Sequence, residues 1–160
     1  MVGWRDEKIG QLVHDYKYHS VRALASDLAE LLDAVLPCID GKVTIVPLPT
    51  VDRHIRERGF DHILKLAKKL ARRRGYSVRQ LLTREKNTVQ VGANMEARMV
   101  QAATAYGFCG EVDPQTTYLL IDDVWTTGST MRAAIKKLQQ AGASKIILAV
   151  LAVNRAGVDN

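Results

Sequence analysis

The stretch Tyr118-Leu-Leu-Ile-Asp-Asp-Val-Trp-Thr-Thr-Gly-Ser-Thr130, continued through Met131 to Lys145-Ile-Ile-Leu-Ala-Val-Leu-Ala-Val153, decides the fold class. Tyr118 to Ile121 is apolar and reads as a strand, and Thr126 to Ser129 reads as a turn. Met131, Ala134, Ile135, Leu138 and Ala141 recur at helical spacing and form one buried face, which Gly142 terminates. Residues 145–153 form a second strand, and its apolar residues run continuously rather than alternating. Such a strand fits a sheet covered on both faces. Strand, helix and strand in this order make a βαβ unit, whose strands must be parallel with a right-handed crossover. The expectation is an α/β fold with an open, mainly parallel sheet flanked by helices.

Upstream, the pattern is of the same kind. Ile9, Leu12, Val13 and Tyr16 predict a short first helix. Ser20 can cap a second, with Val21, Leu24, Ala25, Leu28, Leu32 and Val35 on one face and Pro37 ending it. Lys42-Val-Thr-Ile-Val46 reads as a buried strand that Pro47 and Pro49 stop. After Gly59 a further helix carries the apolar stripe Phe60, Ile63, Leu64, Ala67, Leu70 and Ala71, with Gly75 as its C-cap. Tyr76 to Leu82 reads as another strand. Thr83 to Thr104 is long and polar for a plain connection, and such segments are usually functional. No repeat or low-complexity linker divides the chain, so residues 1–160 are expected to form one domain.

Composition narrows the class. Of the 160 residues, 47% are apolar and 25% charged, an ordinary balance for a water-soluble domain. No apolar run approaches the roughly 20 residues a membrane span needs. The charged N-terminus lacks the apolar core of a signal peptide, so a cytoplasmic location is expected. Cys38 and Cys109 form no C-x-x-C pair, which excludes a zinc site built on paired cysteines; both are read as buried or half-buried free thiols. The net charge of +6 is concentrated between Arg53 and Lys86 and favours polyanionic partners: phosphate, pyrophosphate or nucleic acid.

Ligands of open α/β sheets bind beyond the carboxyl ends of strands. Asp122-Asp123 lies at such an end, directly before a loop rich in hydroxyls that opens a helix. A helix N-terminus offers unpaired N–H groups and the positive end of a dipole. Gly128 lets the backbone approach a phosphate, and the hydroxyls of Thr126, Thr127, Ser129 and Thr130 can donate to it. Two carboxylates facing a phosphate would repel it. They are better used as acceptors for sugar hydroxyls, or to hold Mg²⁺ through water. The constellation reads as a grip on a phosphorylated sugar. The plain alternative makes Ser129 or Thr130 an N-cap and the acids a solvated turn. No G-x-x-x-x-G-K-[ST] loop occurs in the chain.

Leu119 to Thr130 resembles the 5-phosphoribosyl 1-pyrophosphate (PRPP) signature of the type I phosphoribosyltransferases. Val46-Pro-Leu-Pro49, Arg56-Glu-Arg-Gly-Phe60, Arg84, Gln90, Arg98 and Tyr106 narrow the likeness to the ComF/GntX-like family, over roughly residues 12 to 153. The resemblance implies that Asp122 and Asp123 hold the ribose hydroxyls, with any Mg²⁺ held indirectly, and that Thr126 to Thr130 wrap the 5-phosphate. It also implies that Leu48, Pro49 and Thr50 contact pyrophosphate, with a non-trans peptide near Pro47-Leu48, and that a small hood comes from about residues 1–40 and 83–104. The departures are the missing four-cysteine zinc module, Asp61-His62 in place of Asn-Gln, Gln101 in place of Asn, and Val89 in place of Pro. They put the acceptor and any family-specific partner in doubt.

The remaining candidates are basic. Pyrophosphate needs fixed positive charge and multidentate donors, which Arg56, Arg58 and Arg84 can supply; the alternative is surface arginine paired with Glu57 or Asp52. Lys86 and Arg98 share the long polar segment. His14, His19, His54 and His62 have no metal spacing and read as structural or exposed. Trp125 can either stack on a base or plug the core beneath the loop. The basic helix after Gly59 is compatible with DNA, though no aromatic residues are interleaved for single-strand stacking. Two functions therefore stand as expectations. The first is transfer of a phosphoribosyl group from Mg²⁺-PRPP to an unidentified acceptor, catalysed around Asp122, Asp123 and Arg58. The second is a non-catalytic PRPP-sensing or DNA-associated protein. The resemblance also implies that dimers are common. Thr126 stands where the 6-oxopurine transferases carry an Asp, which disfavours hypoxanthine or guanine as acceptor.

Overall fold

The computed structural model describes residues 2–4, 7–18, 23–84 and 106–153. In chain order its elements are β1 (Val2–Trp4), α1 (Glu7–Tyr18), α2 (Leu24–Val35), β2 (Val43–Pro47), α3 (Asp52–Arg58), α4 (His62–Arg74), β3 (Ser77–Val78), β4 (Leu82–Arg84), β5 (Tyr106–Phe108), β6 (Thr117–Trp125), α5 (Ser129–Gln140) and β7 (Lys145–Val153). Five strands form one sheet in the order β1-β7-β6-β2-β3, and every pairing in it is parallel. The expected open α/β sheet with a βαβ unit at β6–α5–β7 is present. The expected cap Ser20, together with Val21, lies outside the described residues.

The central strands are apolar because both of their faces are covered. All five residues of β2 are buried, as are Thr117 to Ile121 of β6. Alternation sorts the side chains of β6 to opposite faces. Leu119 and Ile121 join α1, α2 and α4 in one core, with Val13, Tyr16, Leu28, Leu32, Leu66 and Leu70. Tyr118 and Leu120 join α5 and the small antiparallel sheet β4–β5 in the other, with Tyr106, Met131, Ala134 and Leu138. Each fully buried leucine contributes about 1.5–3 kcal/mol through its burial. The N-terminal third, expected to supply part of a hood, acts in its described residues as one cover of the sheet. Most of the other expected hood segment, 83–104, lies outside the described residues.

Several boundaries differ from expectation, each for a physical reason. Tyr76 to Leu82 is not one strand. Ser77 and Val78 pair with β2, Arg79 N donates to Ile45 O at 3.0 Å, and the chain then leaves to pair Leu82–Arg84 with Tyr106–Phe108. Helix α3 was not legible, because none of its residues is buried and it carries no apolar stripe; Gly59 ends it in the left-handed conformation at φ 73°. The peptide at Pro47–Leu48 is trans, as are the other described bonds, and Leu48 N donates to Ile121 O at 3.0 Å, continuing the ladder beyond Pro47. Cys38 and Cys109 are exposed free thiols rather than buried ones, since both fall just beyond element ends.

Part of the basic surface of α4 is used within the fold. Arg73 pairs with Glu30 and Asp33 of α2 at 3.4 and 3.2 Å. Arg74 binds the Asp33 carboxylate and also donates to the carbonyls of Asp33, Leu36 and Pro37 at 2.7, 2.8 and 2.7 Å. Its guanidinium thus satisfies carbonyls that α2 leaves open at its C-terminus. Lys65 Nζ lies 5.4 Å from the centre of the Phe60 ring. Lys68 and Arg72 are exposed. Among the described residues no helix is long and apolar enough to cross a membrane.

Candidate functional site

Strand β6 does not stop at Ile121. It runs on to Trp125, paired with β7 through Asp122↔Val150 and Trp125↔Val153. Asp122 and Asp123 therefore occupy consecutive strand positions and belong to opposite faces of the sheet. Asp123 lies on the α4 side and is buried. Asp122 is half-buried on the side of Tyr106, and its Oδ1 accepts from Asp123 N at 2.9 Å. The acids are thus held in two different environments, which adjacency in sequence alone did not predict.

A cavity of about 280 Å³ opens at the carboxyl ends of β2 and β6. Its walls bring together Leu48, Pro49 and Thr50 after β2, Arg58 at the end of α3, Arg84 of β4, Asp122, Asp123 and Thr130. These are eight of the sequence-derived site residues, drawn from five segments of chain. Arg56 is exposed on α3 and is not among the lining residues. Thr126, Thr127 and Ser129 are exposed on the loop that leads to Thr130, and Gly128 is buried within it. Lys86, Gln90 and Arg98 lie outside the described residues.

Local chemistry builds that loop. Gly128 is the N-cap of α5 and adopts φ 72°, so neither Ser129 nor Thr130 caps the helix. A Cβ at Gly128 would fall 2.2 Å from the Trp125 ring. Trp125 is half-buried against the second core, as the plug reading expects, and its ring lies directly beneath Gly128. Thr127 Oγ1 and Ser129 Oγ are 3.0 Å apart, and Ser129 N donates to Thr127 Oγ1 at 3.4 Å. Arg132, which the sequence reading passed over, donates to Thr127 O and lies 6.0 Å from the Trp125 ring. Its spacing of five from Thr127 carried no signal distinguishable from a solvated helix face.

His62 is the principal residue that sequence reasoning missed. It is 4% exposed, and its Nε2 lies 2.6 Å from Asp123 Oδ2, while Arg58 Nη1 lies 3.0 Å from its Nδ1. Asp61, the departure beside it, caps α4 by accepting from Leu64 N at 3.0 Å, and it also accepts from Thr50 Oγ1 at 3.1 Å. That second bond ties the loop after β2 to the start of α4. Tyr16 donates its hydroxyl to His62 O at 2.7 Å. Burial, reinforced by the charges of Asp61 and Asp123, pushes the Tyr16 hydroxyl well above its usual range, so it stays a donor. On the other wall, burial pushes Tyr106 up to about 12, opposed by Arg84 and aided by Asp122. The Arg84 guanidinium stands 5.8 Å from the Tyr106 ring. His54, which also lines the cavity, bonds through Nδ1 to Glu57 Oε2 at 3.0 Å.

Among the described residues no group of three or more His, Cys, Asp or Glu could hold a metal ion by itself. The two carboxylates in the cavity wall suit a divalent cation that takes its other oxygens from a ligand and water.

Comparison with known proteins agrees with this architecture. No curated protein matches the chain. Among solved structures, the allosteric regulatory enzyme of purine biosynthesis superposes with a TM-score of 0.56 at 16% identity, over 81% of this chain and 26% of that one. The glutamine PRPP amidotransferase of B. subtilis gives 0.55 at 16%, over 80% and 26%. The UMP synthase of Leishmania donovani gives 0.53 at 19%, over 86% and 24%. The chain spans about a quarter of the length of these proteins, and at such identities the likeness is one of fold. The sequence itself matches the phosphoribosyl transferase domain model over residues 66–160, which takes in β6, the loop and α5. With more than half of its length in that match and the matching sheet beneath it, the chain belongs to the phosphoribosyl transferase domain family.

Proposed function

We propose that this protein binds PRPP with Mg²⁺ and transfers its phosphoribosyl group to an acceptor, releasing pyrophosphate. The observation that carries this reading is the cavity where Asp122, Asp123, Thr130, Arg58, Arg84 and the Leu48–Thr50 loop converge from five segments of chain. Asp122 and Asp123 accept hydrogen bonds from the ribose hydroxyls. Thr126, Thr127, Gly128, Ser129 and Thr130 hold the 5-phosphate at the N-terminus of α5, where the helix dipole and backbone N–H groups favour an anion. Arg58, Arg84 and the Leu48–Thr50 backbone face the pyrophosphate, and exposed Arg56 adds positive charge nearby.

In the reaction a nucleophile attacks C1 of the sugar as the bond to pyrophosphate breaks. Positive charge develops on the sugar and negative charge on the leaving group. The side chains then act by positioning and by electrostatic stabilisation, with the carboxylates near the sugar and Arg58 near the leaving group. A divalent cation held indirectly by the two acids would neutralise charge on the pyrophosphate oxygens. The segments Val46–Pro49 and Arg56–Phe60 support a place near the ComF/GntX-like branch of the family.

Calorimetry with Mg²⁺-PRPP tests this reading on the native protein and on an Asp122→Asn/Asp123→Asn double variant. Saturable one-site binding by the native protein, weakened by roughly two orders of magnitude in the variant, is expected from the loss of two charged acceptors. Equal affinity for both proteins refutes it.

A further inference from the structure

The side chains of Arg58, His62 and Asp123 form a continuous chain from the end of α3, through the first turn of α4, to β6. An arginine guanidinium carries only donors, so the nitrogen it meets must accept. Nδ1 of His62 is therefore unprotonated, and the ring proton sits on Nε2 and is donated to Asp123. The chain reads cation, neutral imidazole, carboxylate. Charge is thus balanced across a buried site, which is the condition for burying Asp123 at little cost.

We infer that His62 is a positioning residue: its neutral ring fixes the Asp123 carboxylate with one nitrogen and the Arg58 guanidinium with the other, orienting both ends of the PRPP grip at once. The inference rests on the reading in which Asp123 meets ribose and Arg58 meets pyrophosphate. Arg58, Asp123 and His62 all border the cavity, but His62 is only 4% exposed, so it meets the site chiefly through the other two. An aspartate's terminal torsion is broad, and a bond to Oδ2 narrows it. A long arginine loses rotamer freedom when held, and His62 imposes that loss before ligand arrives, which favours binding.

The Tyr16 hydroxyl donates to the His62 carbonyl and its ring lies edge-on to the imidazole, so α1 also holds the residue in place. A glutamine at this position likewise offers one acceptor and one donor, whereas a leucine offers neither.

The test has two parts. Long-range ¹⁵N–¹H spectra of the native protein without ligand, at about pH 8, read the tautomer. A bare Nδ1 with a protonated Nε2 is expected, and a proton on Nδ1 overturns the inference. Mg²⁺-PRPP affinity is then measured at about pH 8 for native protein, His62→Gln and His62→Leu. His62→Leu should bind roughly ten-fold more weakly than native, while His62→Gln should come within about three-fold of it. Native affinity in a folded His62→Leu, or a folded His62→Gln as weak as His62→Leu, overturns the positioning role. If native protein fails to bind PRPP while the tautomer is as stated, the proposed function falls, and with it the role on that ligand; the bonded chain itself stands on the spectra.

Discussion

Replacing Gly128 by alanine sets two separable costs against each other. The residue adopts φ 72°, in the left-handed region, where a side chain costs about 1–2 kcal/mol. Independently, the new methyl would lie 2.2, 2.6 and 2.8 Å from three atoms of the Trp125 ring. Ordinary contact begins near 3.4 Å, so the ring must retreat by roughly 1 Å or more. It cannot do so freely, because it is packed against the second core and faces Arg132. Overpacking of this kind costs about 1–3 kcal/mol, for a combined loss of about 2–5 kcal/mol. Urea titrations followed by far-ultraviolet circular dichroism measure it without relying on tryptophan emission. Trp125→Ala removes the obstructing ring, so Gly128→Ala in that background should cost only the conformational part, about 1–2 kcal/mol. The double-mutant cycle should thus show a coupling of about 1 kcal/mol or more. A Gly128→Ala protein as stable as native, or a cycle with no coupling, refutes the claim that Trp125 shapes the loop through residue 128.

Two further outcomes follow from the packing. Arg74→Met should destabilise the protein by about 1–3 kcal/mol in urea, since the guanidinium binds Asp33 and three carbonyls at the end of α2. Arg74→Lys should recover less than half of that, because an ammonium cannot reproduce the planar fork; full recovery would reduce the role to charge alone. Tyr106, pushed up from 10.0 to about 12 by burial, should remain un-ionised on alkaline titration until the fold gives way. A group whose pKa is raised on folding contributes stability below its unfolded value and loses it as pH rises through the folded one. Tyr106→Phe should therefore flatten the decline in stability between about pH 10 and 12, as read by thermal melts across that window. An unchanged slope contradicts the assignment.

The layered order of elements was legible because hydrophobic periodicity is local information. The apolar runs of β2, β6 and β7 and the stripes of α2, α4 and α5 each state how one segment must be buried. Weakly patterned pieces were lost for the same reason. Helix α3 buries nothing, and the division of 76–84 between two sheets depends on partners at Thr44 and Phe108 that lie far along the chain.

The site divides in the same way. The sequence by itself determined the loop from Asp122 to Thr130, because a strand end, two acids, a glycine and a helix start are consecutive in the chain and their chemistry needs no distant partner. Tertiary structure alone decided what each acid does. Strand alternation sent Asp122 and Asp123 to opposite faces, and packing of α4 brought His62 to within 2.6 Å of a carboxylate 61 residues away. Nothing in the histidine's neighbours announces that contact, since a buried hydrogen bond belongs to the pair of elements that meet and not to either segment alone.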